Sequence, residues 1–381
     1  MPDRNQACEA IEYHLSCVNI NIPANMVHAL VCHKAKMKPF FLFFSLLSVI
    51  IHHIKFKNNV EGEVMSSIKD PNLASKGDEE INWATRQMQV LEEISNEFAL
   101  SKPLDGLNIG ACMHVTKETA NLMMTLKTAG ANVALCASNP LSTNDSVAAY
   151  LAENDIEVHA IRGVSNDEFF KHLNLVLDTN PDITMDDGAD LVTLLHTDRS
   201  EISVLGSMEE TTTGVIRLKS MEKNNKLRFP VVAVNDSDTK HLFDNRFGTG
   251  QSSMDGIVRA TDLLIAGLNV VVFGFGDCGK GVAERAYGMG AKVTVVEPDS
   301  VRALEALMHG YEVKSSLEAS KIADIIITVT GNKHVLDTKH FDLMKSGVVL
   351  ANAGHFDVEI NLVELKNQSS EVTRVRDHVE S

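Results

Sequence analysis

Residues 269–297 read NVVVFGFGDCGKGVAERAYGMGAKVTVVE. The β-branched run 270–272 predicts a buried strand, and the chain then places Gly274, Gly276 and Gly279 at the spacing G-x-G-x-x-G. In such a turn the first glycine permits the tight exit from the strand, and the second lets the backbone approach a pyrophosphate. The third lets the following helix pack closely on the sheet. A helix over 279–289 would aim its N-terminal amides at phosphates. A second strand over 292–296 delivers Glu297, where a carboxylate is expected to accept hydrogen bonds from a ribose diol and to repel a 2′-phosphate. The stretch therefore predicts NAD rather than NADP. Glycines that only tighten a turn would not require the acid at that distance. Phe273 is bulky for its place and is expected to crowd the turn.

Outward from this stretch, 381 residues with 44% hydrophobic composition suffice for sizeable cores and suggest two domains, with three as the upper bound. The formal net charge of −16 argues against a nucleic-acid partner, which would need clustered Lys and Arg. Six cysteines form no C-x-x-C pair and no spacing with His that would hold zinc. A metal is thus not expected, and a reduced, cytoplasmic compartment is.

Residues 1–64 differ from the rest, carrying a net charge of +1 while the remaining 317 residues carry −17. They contain the apolar run FFLFFSLLSVII at 40–51, twelve residues long, where a spanning helix needs about 20. No membrane partner is expected, and 1–64 is read as a divergent or spurious extension with Met65 as the natural start. From 81 onward the pattern is globular. One helix is expected over 82–98 with Trp83, Met88, Leu91 and Ile94 on its core face. Strands follow at 107–112, 131–137, 157–161 and 182–185, separated by helices at 119–128, 146–153 and 167–178, with a further strand at 231–234. A helix at 252–266 leads to the glycine-rich unit, whose later strands are expected at 312–314, 325–328 and 348–351. This alternation predicts an α/β fold of two Rossmann-like units, each a parallel sheet covered on both faces.

In such sheets ligands collect at the C-terminal ends of the strands. There the chain places His114 and Thr116, then Asp186, Asp187 and Asp190, then Asn235, Asp236 and Lys240, with the run Glu209, Glu210, Thr211, Thr212, Thr213 between them. Singly, each has an ordinary reading: a loop histidine, a turn, a helix cap. Folding alone does not require acids, a histidine and a lysine to gather at one edge, so the set is read as functional. The loops TVTGN at 328–332 and NAGHF at 352–356 leave strand ends on the cofactor side, which makes His355 a second candidate catalytic histidine.

From about 82 to 378 the chain resembles the S-adenosylhomocysteine hydrolases in their compact archaeal and thermophile form. The resemblance is carried by CMHVTKETA, SNPLSTND, DDGAD, EETTTGV, VNDSDTKHLFDNRFGTGQS, GFGDCGKG and NAGHFDVEI. It implies a substrate-binding domain over 65–245 joined by a hinge to an NAD-binding domain over 246–356, with 357–381 returning towards the first. It also implies reversible hydrolysis of a nucleoside thioether, S-adenosylhomocysteine, to adenosine and homocysteine with tightly bound NAD. The ribose 3′-hydroxyl is oxidised first, which acidifies the C4′ hydrogen; loss of that proton expels the thiolate, water adds, and the ketone is reduced again.

The resemblance assigns Lys240 to the hydroxyl proton, a role that burial of a lysine favours. Asp244 becomes a substrate-hydroxyl ligand, and Asp187, His114 and His355 handle protons at C4′ and at the sulfur or entering water. Thr116 and Glu118 become adenine contacts and Glu210 a ribose contact. NAD would meet Thr211, Thr212, Thr213 and Asn245, then Gly274, Gly276, Asp277, Gly279 and Glu297, and finally Thr330 and Asn352. Three departures stand out. Ala189 replaces a usual glycine, with a small effect expected; Phe273 replaces a small residue; and the family's G-H-P histidine and its tail, whose Lys and Tyr reach the NAD of a neighbouring subunit, do not occur in this sequence. That tail supports the family's homotetramer, so a silent subunit is one alternative. An inosine-specific hydrolase and an ordinary NAD dehydrogenase are the others.

Overall fold

The computed structural model describes residues 66–376 and 379–381, so the extension 1–64 and its apolar run lie outside the described residues. Among the described residues no helix is long and apolar enough to cross a membrane. The chain divides between Val234 and Asn235 into two compact units, ahead of the expected boundary at 245. The segment after Val234 packs on the second unit, where Arg246 pairs with Glu284 at 3.2 Å.

The first unit holds β1 (Asn108–Cys112), β2 (Asn132–Cys136), β3 (Glu157–His159), β4 (Ile183–Asp186), β5 (Gly206–Glu209) and β6 (Val231–Ala233) in the order β3-β2-β1-β4-β5-β6. Every pairing is parallel. The chain order reverses between β1 and β4, which opens a crevice at the carboxyl ends of those two strands. One row of the register runs Cys136, Cys112, Asp186, Glu209, Ala233, so two acids end adjacent strands side by side. The β5 strand and the helix Thr212–Lys223 after it escape a pattern reading, because GSME carries only one strongly apolar residue and is made a strand by its neighbours.

The single helix expected over 82–98 is two, α1 (Ala74–Thr85) and α2 (Gln89–Ser101), broken where Met88 leaves the helical region at φ −112° and ψ 41°. The break changes the face. Ile81, Ile94 and Phe98 enter the core, whereas Trp83 is 62% exposed with the Arg86 guanidinium 5.4 Å from its ring. Ala189 sits in the left-handed region at φ 62° and is fully buried, so the glycine-to-alanine departure puts about 1–2 kcal/mol of backbone strain where a small effect was expected.

In the second unit β7 (Asn269–Phe273), β8 (Lys292–Val296), β9 (Glu312–Val313), β10 (Ile325–Thr328) and β11 (Val349–Asn352) form a parallel sheet ordered β11-β10-β7-β8-β9. Its reversal point lies between β7 and β10. Both faces are covered, which explains the unbroken apolar run: Val270 and Val272 enter one cluster and Val271 and Phe273 the other. Phe273 therefore does not crowd the turn. Its ring lies edge-on to His340 at 6.2 Å, in the core beneath it.

Glycine lets three pieces of backbone meet below the cofactor turn. A Cβ on Gly281, in the helix Asp277–Gly288, would run into the carbonyl of Arg246, and one on Gly250 would meet the backbone of Gly281. We expect Gly281→Ala to lose about 1–3 kcal/mol from this overpacking. Gly288→Ala, in the same helix with nothing within 4 Å of its added carbon, should gain about 0.5–1 kcal/mol. Urea denaturation of both variants checks the pair; equal shifts of the same sign would contradict the packing.

Candidate functional site

At the reversal point of the first sheet, β1 runs out into Met113 and His114 while β4 ends in Asp186 and is followed by Asp187. His114 Nε2 lies 3.1 Å from Asp187 Oδ2, and its Nδ1 lies 3.1 Å from Ser138 Oγ. The Ser138 hydroxyl is also 3.4 Å from Asp187 Oδ2. One hydroxyl proton serves two acceptors here. The hydroxyl can thus turn between the histidine and the carboxylate without moving a heavy atom. Ser138 was not singled out from sequence, although SNPLSTND stands at the end of β2; a lone serine in a loop carries no signal by itself.

Of the neighbouring acids Asp186 and Glu209 are buried and Asp190 is half-buried. Asp186 accepts from the amides of Leu191 at 3.1 Å and Val192 at 2.8 Å, and burial pushes it up to about 7. Asp190 is pushed up to about 6 by burial, against the pull of Arg217 at 3.4 Å. Glu209 is fully buried; its Oε1 accepts from the amides of Gly188 at 3.0 Å and Thr211 at 2.9 Å, and its Oε2 has no partner among the described residues. Burial first, and then the charge of Asp186, pushes Glu209 up to about 9. Its carboxyl group ties the DDGAD loop to the EETTTG loop. A Cβ on Gly214 would collide with that carboxyl group, which gives the glycine of EETTTG a steric reason.

Among the expected ligand residues of this unit, Thr116 caps the helix Lys117–Thr128 by accepting from Thr119 N at 3.3 Å, and Glu118 stands in that helix's first turn. Glu210 continues the strand ladder by donating its amide to Asp186 O at 3.0 Å. Thr211 is the N-cap residue of the helix Thr212–Lys223, with Thr212 and Thr213 in its first turn. The Thr213 hydroxyl is buried and has no partner among the described residues, a polar atom left over by the fold.

In the second unit Lys240 donates to Asn245 Oδ1 at 2.6 Å and pairs with Asp244 Oδ2 at 3.1 Å. Asn245 in turn donates to Asn235 Oδ1 at 2.9 Å. The two partners sit four and five residues on from Lys240. A π-helix over His241–Gly248 brings both to one side of it, and such wide turns mark functional positions. Sequence periodicity gave no hint of this turn. Cys278, whose thiol burial pushes up, lies close enough for the charge of Lys240 to lower it in part.

The glycine turn fits a dinucleotide. Gly274 stands at φ 101°, and a Cβ there would press on the Val329 carbonyl, while one on Gly279 would overlap the Gly274 carbonyl. Gly276 differs. Its added carbon would find no atom nearer than Arg302 Nη1 at 3.9 Å, so the space above it is open for a pyrophosphate at the head of the helix Asp277–Gly288. Asp277 opens that helix. Glu297 accepts from Phe275 N at 2.7 Å and Asp299 N at 3.0 Å, which fixes its carboxylate beside the turn. Thr330 lies in the loop after β10. Asn352 ends β11 and folds the NAGHF loop about its side chain, accepting from Thr328 Oγ1 at 3.0 Å and donating to Phe356 O at 2.9 Å. His355 in that loop lies edge-on to Phe356 at 4.4 Å.

The raised Glu209 has a consequence for stability. Its folded value of about 9 exceeds the ordinary 4.5, so the native state holds a proton that the unfolded chain releases. Its contribution is present in full below pH 4.5 and is lost as pH rises towards 9. Glu209→Gln should therefore gain on the parent between pH 5 and 9 by at least ~1.4 kcal/mol, the equivalent of one pKa unit. Urea titrations at several pH values measure the difference; parallel curves would contradict a protonated Glu209.

A family model described as S-adenosyl-L-homocysteine hydrolase matches residues 65–205, and one described as the NAD binding domain of S-adenosyl-L-homocysteine hydrolase matches residues 245–381. The chain is 54% identical over 318 residues to an S-inosyl-L-homocysteine hydrolase of Methanococcus maripaludis, covering 83% of this chain and 77% of that one. It is 53% identical over 314 residues to the adenosylhomocysteinase of Pyrococcus abyssi, covering 82% and 74%. With that of Aquifex aeolicus it shares 53% identity over 315 residues, covering 82% and 75%. Together with the glycine turn and the histidine–aspartate pair, these matches show that the chain belongs to the S-adenosyl-L-homocysteine hydrolase family and carries its NAD-binding domain.

Proposed function

We propose that this chain catalyses the reversible, NAD-dependent hydrolysis of S-adenosyl-L-homocysteine to adenosine and L-homocysteine. The observation that carries the reading is the pairing, in one chain of this family, of an open dinucleotide turn at Gly276 with a proton relay of His114, Ser138 and Asp187. Net redox chemistry needs only the first; making and breaking a carbon–sulfur bond through an acidified carbon needs both. When bound, NAD supplies a hydride acceptor for the ribose 3′-carbon and returns the hydride at the end.

The chain's own residues then divide the work. Lys240, steered by Asp244 and Asn245, takes the proton of the 3′-hydroxyl. Asp187 and His114 take the C4′ proton and return it, and His355 serves the departing sulfur or the entering water. Thr116 and Glu118 hold the adenine and Glu210 the ribose edge. Gly274, Gly276, Asp277, Gly279 and Glu297 hold NAD, with Thr211, Thr212, Thr213 and Asn245 completing its contacts and Thr330 and Asn352 flanking them. The unit before Val234 is accordingly the substrate domain and the unit after it the cofactor domain. A cytoplasmic location is the one we propose; the three cysteines among the described residues are free, in keeping with a reducing compartment.

One observation favours a second reading, hydrolysis of the inosine counterpart: a relative at 54% identity is an S-inosyl-L-homocysteine hydrolase. A thiol-release assay on both nucleoside thioethers, with NAD added, separates the two. We expect homocysteine release without net NADH; steady NADH accumulation would contradict the reading in favour of a dehydrogenase. Lys240→Ala should lower the 3′-oxidation rate by about 10²- to 10⁴-fold. Single-turnover absorbance at the reduced nicotinamide band checks this, and an unchanged rate would remove Lys240 from the proposed role.

A further inference from the structure

Glu359 is 1% exposed, and sequence reading gave it no role. Its strand-like segment is laced to the chain after the TVTGN loop, since His334 N donates to Val358 O at 2.9 Å, Leu336 N to Glu359 O at 3.2 Å and Asn361 N to Leu336 O at 3.0 Å. From that anchor the carboxylate passes under the loop 328–332. Oε2 accepts from Thr330 N at 2.9 Å and from Thr330 Oγ1 at 2.7 Å, while Oε1 accepts from Gly331 N at 2.9 Å. On its other side lies the NAGHF loop, close enough that a Cβ on Gly354 would overlap Oε1.

A buried carboxylate spent on two successive loop amides and a hydroxyl fixes backbone direction, because hydrogen bonds to an ionised acceptor are stronger than neutral ones. The loop so fixed is the one whose Val329 carbonyl stands against the α-carbon of Gly274, the first glycine of the cofactor turn. We infer that Glu359 is a positioning residue for the cofactor: it clamps the 328–332 loop against the glycine turn and keeps the NAGHF loop beside it. The inference rests on the reading that this turn and this loop hold NAD.

Glutamine at 359 would present an amide donor towards one of the donors that the carboxylate now accepts from, so the clamp is broken with volume unchanged. The test is calorimetric titration of NAD into the full chain and into Glu359→Gln, with the Gly331 amide proton followed by NMR. We expect NAD affinity to fall at least about tenfold and the Gly331 amide to move upfield, with partial recovery in Glu359→Asp. The KM for the thioether at saturating NAD should stay within about twofold, which a general loosening of the fold would not spare. Unchanged NAD affinity in a folded Glu359→Gln overturns the proposal. Should that variant fail to fold, Glu359→Asp gives the decision: its carboxylate is one methylene short of the Thr330 and Gly331 amides, and NAD affinity equal to the parent's would overturn the proposal. Gly276→Ala serves as the independent control: if it too binds NAD like the parent, it is the cofactor reading of the turn that has failed.

Discussion

The ligand side of the second sheet depends on one close approach, that of the Val329 carbonyl to the α-carbon of Gly274. A side chain at Gly274 would meet that oxygen and would also be strained at a φ of 101°, so only glycine lets β7 and β10 end together. Once they do, the helix Asp277–Gly288 can start directly above the sheet, held there by the contact of Gly279 with the Gly274 carbonyl. The space over Gly276 is what this arrangement leaves. Two glycines of the motif are thus demanded by the protein's own backbone, and the middle one by what is to be bound.

Buried carboxylates do corresponding work at the loops. Asp186 gathers the amides that open the helix Asp190–His196, Glu209 joins Gly188 to Thr211, and Glu359 holds Thr330 and Gly331. Each spends a group that is costly to bury on backbone that would otherwise have no partner. The two in the first unit sit next to each other in the register, and burial, with the charge of Asp186 added to it, raises Glu209 to about 9. The loops at both reversal points are therefore tied down by buried acids.

The sequence made legible what depends on local pattern. Runs such as 270–272 and 325–328 announced strands buried on both faces, and the glycine spacing announced the turn. The acids and the histidine were legible as a group at strand ends, and the structure brings His114 and Asp187 to 3.1 Å. The sequence was silent where tertiary context decides. The strand Gly206–Glu209 has little apolar character, and the helix expected over 82–98 breaks at Met88, turning Trp83 to solvent. Phe273 looked like an obstruction because a side chain's face cannot be told from its neighbours in a run with no alternation; it points into the core. Ser138 and Glu359 were invisible for a different reason. Their meaning lies in what they touch, 24 and 29 residues away in the chain.

The chemistry proposed here asks the protein to make a ribose carbon acidic and then undo the change. Exchange at C4′ reports on that directly. Adenosine incubated with the chain and NAD in deuterium oxide, without homocysteine, should acquire deuterium at C4′ with no other change in the nucleoside recovered, as mass spectrometry and proton NMR would show. Recovery of adenosine with C4′ fully protonated, from protein shown to bind both NAD and the nucleoside, would contradict the account.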